Sequence, residues 1–189
     1  ALPIVFQPEL RRALEQIGRG GFLKEQCWQN WGPKEINEIV LSMAEMSEKQ
    51  TGALIVISRR VGLKNYIETG IELEAKISKQ LLSSIFQHES PLHDGALIIE
   101  NGRVQAASCF LNLSTRSDIN PRLGTRHRAA IGITEESDAL ALVVSEETGV
   151  ISVAEDGKLS RHLDKSELRE TLAHSFEKSK EKSFMRRHL

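Results

Sequence analysis

Five apolar residues stand in a row at Ala53-Leu54-Ile55-Val56-Ile57, opened by Gly52. Side chains of an extended chain point to opposite faces in turn, so a run without polar alternation must be covered on both. This run predicts a central strand in a sheet that carries helices on each side.

Helical spacing supplies the cover. Leu10, Leu14 and Ile17 share one face of a helix over residues 9–17, which Gly18, Gly20 and Gly21 end before a linker to Trp31. A second helix is predicted from Pro33, a residue favoured in the first turn, to about Lys49. Its apolar residues Ile36, Ile39, Val40, Met43 and Met46 recur at three- and four-residue steps. Residues 78–86 repeat the pattern through Leu81, Leu82 and Ile85, and a last amphipathic stretch spans about 164–178.

Further strands are predicted over Asp94–Ile99 and Val104–Leu111, joined by Asn101-Gly102, a strong hairpin signal between apolar runs. A polar loop from Asn112 to Pro121 leads to a helix beginning near Thr125. Ala139–Ser145 and Gly149–Ala154 are two more strands, and Asp156-Gly157 turns into a short edge strand. No internal repeat is present. The fold class is therefore α/β, a single domain with a central mixed β-sheet flanked by helices.

Composition narrows the partners. A formal net charge of −1 over 189 residues gives no global field for nucleic acid or an anionic membrane, and few aromatics leave no platform for stacking single strands. Cys27 and Cys109 lie far apart without metal-like spacing and read as two reduced thiols. No apolar run approaches the roughly 18–20 residues that span a bilayer. The opening Ala1-Leu2-Pro3-Ile4-Val5-Phe6 is expected to be the frayed end of something longer. The tail with Lys180, Lys182, Arg186 and Arg187 fits either a solvated end or contact with lipid headgroups.

Three short segments concentrate polar groups at strand ends and a helix start, where the sites of sheet proteins usually lie. Leu92-His93-Asp94-Gly95-Ala96 places a carboxylate beside a glycine before a buried strand, a setting for a divalent ion or for a plain turn. In Leu123-Gly124-Thr125-Arg126-His127-Arg128, Thr125 is expected to cap a helix whose first N–H groups face an anion. Arg126 adds a fork suited to phosphate oxygens, while Arg128, two residues on, points to another side of the helix. Ser145-Glu146-Glu147-Thr148-Gly149 offers a hydroxyl for phosphate and a carboxylate for metal, or simply a polar turn. His93 and His127 lack the short-range ligand pair of a zinc site.

Together these residues resemble the diadenylate cyclase (DAC, or DisA N-terminal) domain family, in its membrane-associated CdaA-type branch. The family's D-G-A signature is matched by Asp94-Gly95-Ala96 and its R-H-R signature by Arg126-His127-Arg128, preceded by Gly124-Thr125. Gly52-Ala53-Leu54-Ile55, Pro91-Leu92-His93 and residues 145–149 match as well. The stretch from Phe6 to Leu14 is similar to the junction after that branch's last transmembrane helix. The resemblance implies a seven-stranded or similar mixed sheet and three regions: a juxtamembrane helix and linker over 1–32, the catalytic domain over 33–178, and a basic tail over 179–189. It places the protein at the cytoplasmic face of the bacterial cell membrane.

The implied activity condenses two ATP into cyclic di-AMP with release of two pyrophosphates, by 3′-hydroxyl attack on the α-phosphate across a face-to-face dimer. Asp94, Arg126 and Glu147 are the implied catalytic residues. Gly95, Phe110, Leu111, Gly124, Thr125, Arg126 and Ser145 would bind nucleotide, with Phe110 standing where many relatives carry tyrosine. His127 and Arg128 shape the site. Asp94, His93 and Glu147 are the implied ligands of Mg2+ or Mn2+. The implied partners are ATP, the product cyclic di-AMP, and a second copy of the chain as homodimer or larger. Family members are also associated with a YbbR-domain regulator and phosphoglucosamine mutase. The alternative is a regulatory module that binds adenine nucleotide without turnover.

Overall fold

The five residues of β1 (Ala53–Ile57) are each no more than 2% exposed, and they occupy the middle of a seven-stranded sheet. The structure is a computed structural model that describes residues 31–185, with side-chain surroundings through residue 176. The helix expected over residues 9–17, its linker through residue 30, Cys27 and the last four residues lie outside the described residues.

In chain order the elements are α1 (Pro33–Glu48), β1, α2 (Lys64–Ile67), β2 (Ile71–Lys76), α3 (Lys79–Ile85), β3 (Ala96–Glu100), β4 (Arg103–Cys109), α4 (Thr125–Glu136), β5 (Leu140–Val144), β6 (Ile151–Glu155), β7 (Lys158–Arg161) and α5 (Lys165–Met185). The strand order is β2-β4-β3-β1-β5-β6-β7. β1 pairs parallel with β3 and antiparallel with β5, and the remaining pairs are antiparallel, so the sheet is mixed.

Alternation along β1 divides the core in two. Ala53, Ile55 and Ile57 face a cluster built by Ile39, Val40, Met43 and Met46 of α1, Leu82 and Ile85 of α3, and Leu168, Leu172 and Phe176 of α5. Leu54 and Val56 face Ala129, Ala130 and Ile133 of α4 together with Leu63. Each large aliphatic side chain fully withdrawn from water contributes roughly 1.5–3 kcal/mol. The double cover is thus the main source of cohesion.

Local signals set the helix ends. The Gly32 N–H donates to Glu35 Oε2 at 2.9 Å, and Pro33 occupies the first turn of α1. Ser78 caps α3 by accepting from the Leu81 N–H. Before α5, Asp164 Oδ1 accepts from the N–H groups of Ser166 and Glu167, and Glu167 Oε2 accepts from the Asp164 N–H, a reciprocal capping box. α5 then continues past the boundary expected at residue 178, as far as Met185. Trp31, at the end of the expected linker, is buried and stacks on Phe176 with ring centroids 4.5 Å apart.

Two elements were not foreseen. α2 is a single turn, and β2 is an exposed edge strand bulged between Glu72 and Ala75. The cap of α4 also differs from expectation: Gly124, not Thr125, is the N-cap, and Thr125 is the first helical residue. Gly124 has extended backbone (φ −67°, ψ 173°), and its carbonyl accepts from the N–H groups of His127 and Arg128.

The loop after β4 lies against α4 so closely that a Cβ on Gly132 would sit 2.3 Å from the Asn112 carbonyl oxygen. Gly132→Ala gains about 1 kcal/mol of helix propensity but must push backbone away, which costs typically 1–3 kcal/mol. A net loss of stability of up to about 2 kcal/mol is expected, read as a lower chemical-denaturation midpoint. An unchanged or higher midpoint would contradict the contact.

Candidate active site

Strand direction decides where the three polar segments lie. β1 and β3 are parallel, with Ile55 opposite Leu97, so Gly52 and Gly95 lead into their strands from one end of the sheet. β4 and β5 run the other way, with Cys109 opposite Ala96 and Val144 opposite Ala53, so Phe110 and Ser145 leave their strands at that same end. Neighbouring strands are about 4.8 Å apart, which makes the row β4-β3-β1-β5 about 14 Å wide. The start of α4 joins this end, because Arg126 Nη1 lies 2.6 Å from Glu146 Oε2.

Asp94 is exposed and accepts no hydrogen bond among the described residues. Gly95 behind it has φ +98°, and a Cβ there would meet the Cys109 carbonyl oxygen at 2.8 Å. Only glycine fits both the conformation and the approach to β4. His93 is half-buried, with Nδ1 2.6 Å from the Ser90 carbonyl oxygen. A carbonyl only accepts, so Nδ1 carries a proton, and in the neutral ring Nε2 is the nitrogen with the lone pair.

Phe110 and Leu111 part company. The Phe110 ring is 73% exposed, while its N–H donates to Thr69 Oγ1 at 2.9 Å. Leu111 is only 5% exposed and belongs to the α4-side core, so Phe110 alone offers a face to a ligand.

Gly124 and Thr125 are exposed at the start of α4, where the first N–H groups have no acceptor within the helix. Arg126 is 20% exposed, and its Nε is buried without a hydrogen-bond partner. Gly52 lies beneath its ion pair: a Cβ there would sit 2.7 Å from Arg126 Nη1 and 2.9 Å from Glu146 Cβ. His127 is 5% exposed, and burial followed by the charge of Arg161 pushes its pKa down. Arg128 is half-buried, and its carbonyl accepts from the Ser114 N–H at 3.0 Å, which ties the loop to the helix.

In the turn after β5, the Ser145 hydroxyl accepts from the Thr148 N–H, so it already closes the turn. Glu147 is exposed and makes no ion pair or side-chain hydrogen bond among the described residues. The Ser47 hydroxyl of α1 donates to the Gly149 carbonyl at 2.6 Å and pins the turn from the opposite layer. Among the described residues no three His, Cys, Asp or Glu side chains are grouped so as to hold a metal ion. His93, Asp94 and Glu147 therefore do not form a closed ligand set within one chain.

Two participants escaped the sequence. Glu146, not its neighbour Glu147, reaches Arg126, and Gly52 makes room for that contact. Adjacent acidic residues look alike until the turn fixes which way each points. An open groove lined by Arg116, Glu135, Asp138 and Asp156 lies near the far end of α4 and contains none of the three segments.

A seven-stranded mixed sheet brings an anion-ready helix start and a glycine-backed carboxylate to one end, the arrangement of an α/β domain with a ligand site at its strand ends. Residues 40–159 match the DAC family, described as DisA bacterial checkpoint controller nucleotide-binding. The chain is 48% identical over 185 residues to the cyclic di-AMP synthase CdaA of Bacillus subtilis, covering 95% of this chain and 66% of that protein. It is 46% identical over 174 residues to a diadenylate cyclase of Listeria monocytogenes, covering 91% and 64%. It thus spans just under two thirds of the length of these relatives. A crystal structure of a double mutant of DacA from Staphylococcus aureus superposes with a TM-score of 0.74 at 46% identity, covering 76% of this chain and 95% of that one. The chain belongs to the DAC family, as a CdaA-type member.

Burial of His127 makes stability depend on pH. The unfolded chain takes up a proton near the ordinary value of 6.5, whereas the folded protein resists until its lower pKa is reached. The unfolded state then binds more protons, so stability falls as pH drops through 6.5 and this loss ends at the folded pKa. Denaturation midpoints measured from about pH 8 to about pH 5 are expected to fall less steeply for His127→Gln than for the natural protein. Identical slopes would refute the assignment.

Proposed function

We propose that this chain is the catalytic part of a diadenylate cyclase, which joins two ATP molecules into cyclic di-AMP and releases two pyrophosphates. One observation carries the reading: an unpartnered carboxylate, an exposed aromatic ring and an arginine-bearing helix start share one end of the sheet. The names of the relatives support it.

The residues divide the work by chemistry. Phe110 presents an apolar face on which adenine packs, and a ring at this position stacks without a hydroxyl. Gly95, lacking a side chain, lets the nucleotide lie against the backbone. The first N–H groups of α4, the Thr125 hydroxyl and the Arg126 fork hold phosphate oxygens, with Ser145 beside them. Asp94 orients the attacking 3′-hydroxyl and accepts its proton. Phosphoryl-type transfer rewards placement and charge neutralisation more than covalent chemistry, and these groups supply both.

The donor set suits a divalent ion. Asp94 offers carboxylate oxygens and its neighbour His93 the Nε2 of its ring, with Glu147 a further carboxylate on the turn after β5; any ion held here would take phosphate oxygens as well. Mg2+ or Mn2+, when bound, supplies neutralisation of developing charge and eases ionisation of the hydroxyl.

One adenine face and one phosphate-binding helix start hold one ATP. The second ATP therefore arrives on a second copy of the chain, and the competent species is a twofold dimer or larger. Attachment to the cytoplasmic face of the membrane, and contact with a YbbR-domain regulator or phosphoglucosamine mutase, are inferred from the CdaA type alone. No helix among the described residues is long and apolar enough to cross a membrane.

Purified protein given ATP with Mn2+ or Mg2+ is expected to release cyclic di-AMP and pyrophosphate. ATP binding without product would instead establish a binding-only module. Asp94→Asn is expected to abolish turnover at an unchanged melting temperature, since this exposed side chain supports no other contact. Arg126→Ala removes charge-assisted hydrogen bonds of about 1.5–3 kcal/mol, so ATP should bind roughly 10- to 100-fold more weakly by calorimetric titration. Unaltered affinity would remove the phosphate role.

A further inference from the structure

The bond from Nη1 to Glu146 is the one hydrogen bond or ion pair that the guanidinium of Arg126 makes among the described residues. Its buried Nε has no acceptor, so no hydrogen bond from the interior orients the fork. A guanidinium is planar and grips phosphate well only when its plane is correctly turned. Glu146 is 64% exposed, and its carboxylate would be free in water but for this bond. Both side chains lie flat on Gly52, within 3 Å of where a Cβ would stand. The floor of the pair is thus backbone, and a side chain there would force both partners to shift.

We propose that Glu146 is a positioning residue. It fixes the Arg126 guanidinium over Gly52 so that the outer edge of the fork, rather than the buried Nε, faces the phosphates as the α-phosphorus is attacked. The proposal rests on the cyclase reading. Its physical content is separable from affinity, because a carboxylate beside a triphosphate repels it. Glu146 therefore weakens ATP binding slightly while ordering the group that stabilises the transition state. Gly52 is the second part of the device, since a methyl there displaces both partners.

The test measures kcat and KM for cyclic di-AMP formation, with melting temperature as the control for folding. Glu146→Ala is expected to lower kcat on the order of tenfold or more with KM unchanged or reduced. Glu146→Gln keeps an acceptor oxygen and sheds the repelling charge, so kcat should stay within about threefold while KM falls. Gly52→Ala should lose kcat as Glu146→Ala does, and the double variant should be no worse than either single one. Three results would each overturn the positioning role while leaving the cyclase reading intact: natural kcat in Glu146→Ala, equal loss in Glu146→Gln, or additive losses in the double variant. Absence of product from the natural protein would overturn the cyclase reading, and this proposal with it.

Discussion

Burial of β1 on both faces organises the molecule. A strand with water on either side could tolerate polar residues and a slipped register. One packed against α1, α3 and α5 beneath and α4 above can tolerate neither, because a shift of one residue would exchange its two faces. Ala53 and Val144 are therefore locked opposite each other, as are Ile55 and Leu97. The register of the core thereby becomes the register of the site: once β1 is fixed, the lead-in to β3 and the exits of β4 and β5 are brought to one end of the sheet.

At that end, backbone does work that side chains usually do. Gly52 provides a flat seat for the Arg126–Glu146 pair, and Gly95 lets the chain pass against β4 while it delivers Asp94 to the surface. The charged groups are mostly exposed and loosely held by themselves. Their precision comes from strands that cannot move. Flexible side chains on a rigid frame suit a reaction limited by how well two large charged substrates are aligned.

Much of this was legible in the residues. The uninterrupted run of β1, the three- and four-residue steps of α1 and α3, and the Asn101-Gly102 hairpin each carry a local signal strong enough to survive in the tertiary structure. β2 carried one too, in the alternation of Ile71, Leu73 and Ala75 with Glu72, Glu74 and Lys76, but its edge position leaves the apolar face only partly covered. The cap of α4 was misjudged because propensity favours threonine, whereas the loop arrives with Gly124 already extended. Asp94, Gly95, Arg126 and the turn after β5 were visible as segments, but the partner of Arg126 was not. Which of two adjacent glutamates meets an arginine twenty positions earlier depends on a turn's geometry, and a one-dimensional pattern does not hold that information.

The bond between Ser47 and Gly149 ties the C-terminal end of α1 to the turn between β5 and β6. It runs from the far end of α1 to the turn that carries Ser145, Glu146 and Glu147, and the backbone of Ser47 stands 2.4 Å from where a Cβ on Gly149 would be. The two parts fit like a latch and its keeper. Any tilt or slide of α1 would strain this contact, so the position of the helix bears directly on the acidic turn at the rim of that end of the sheet.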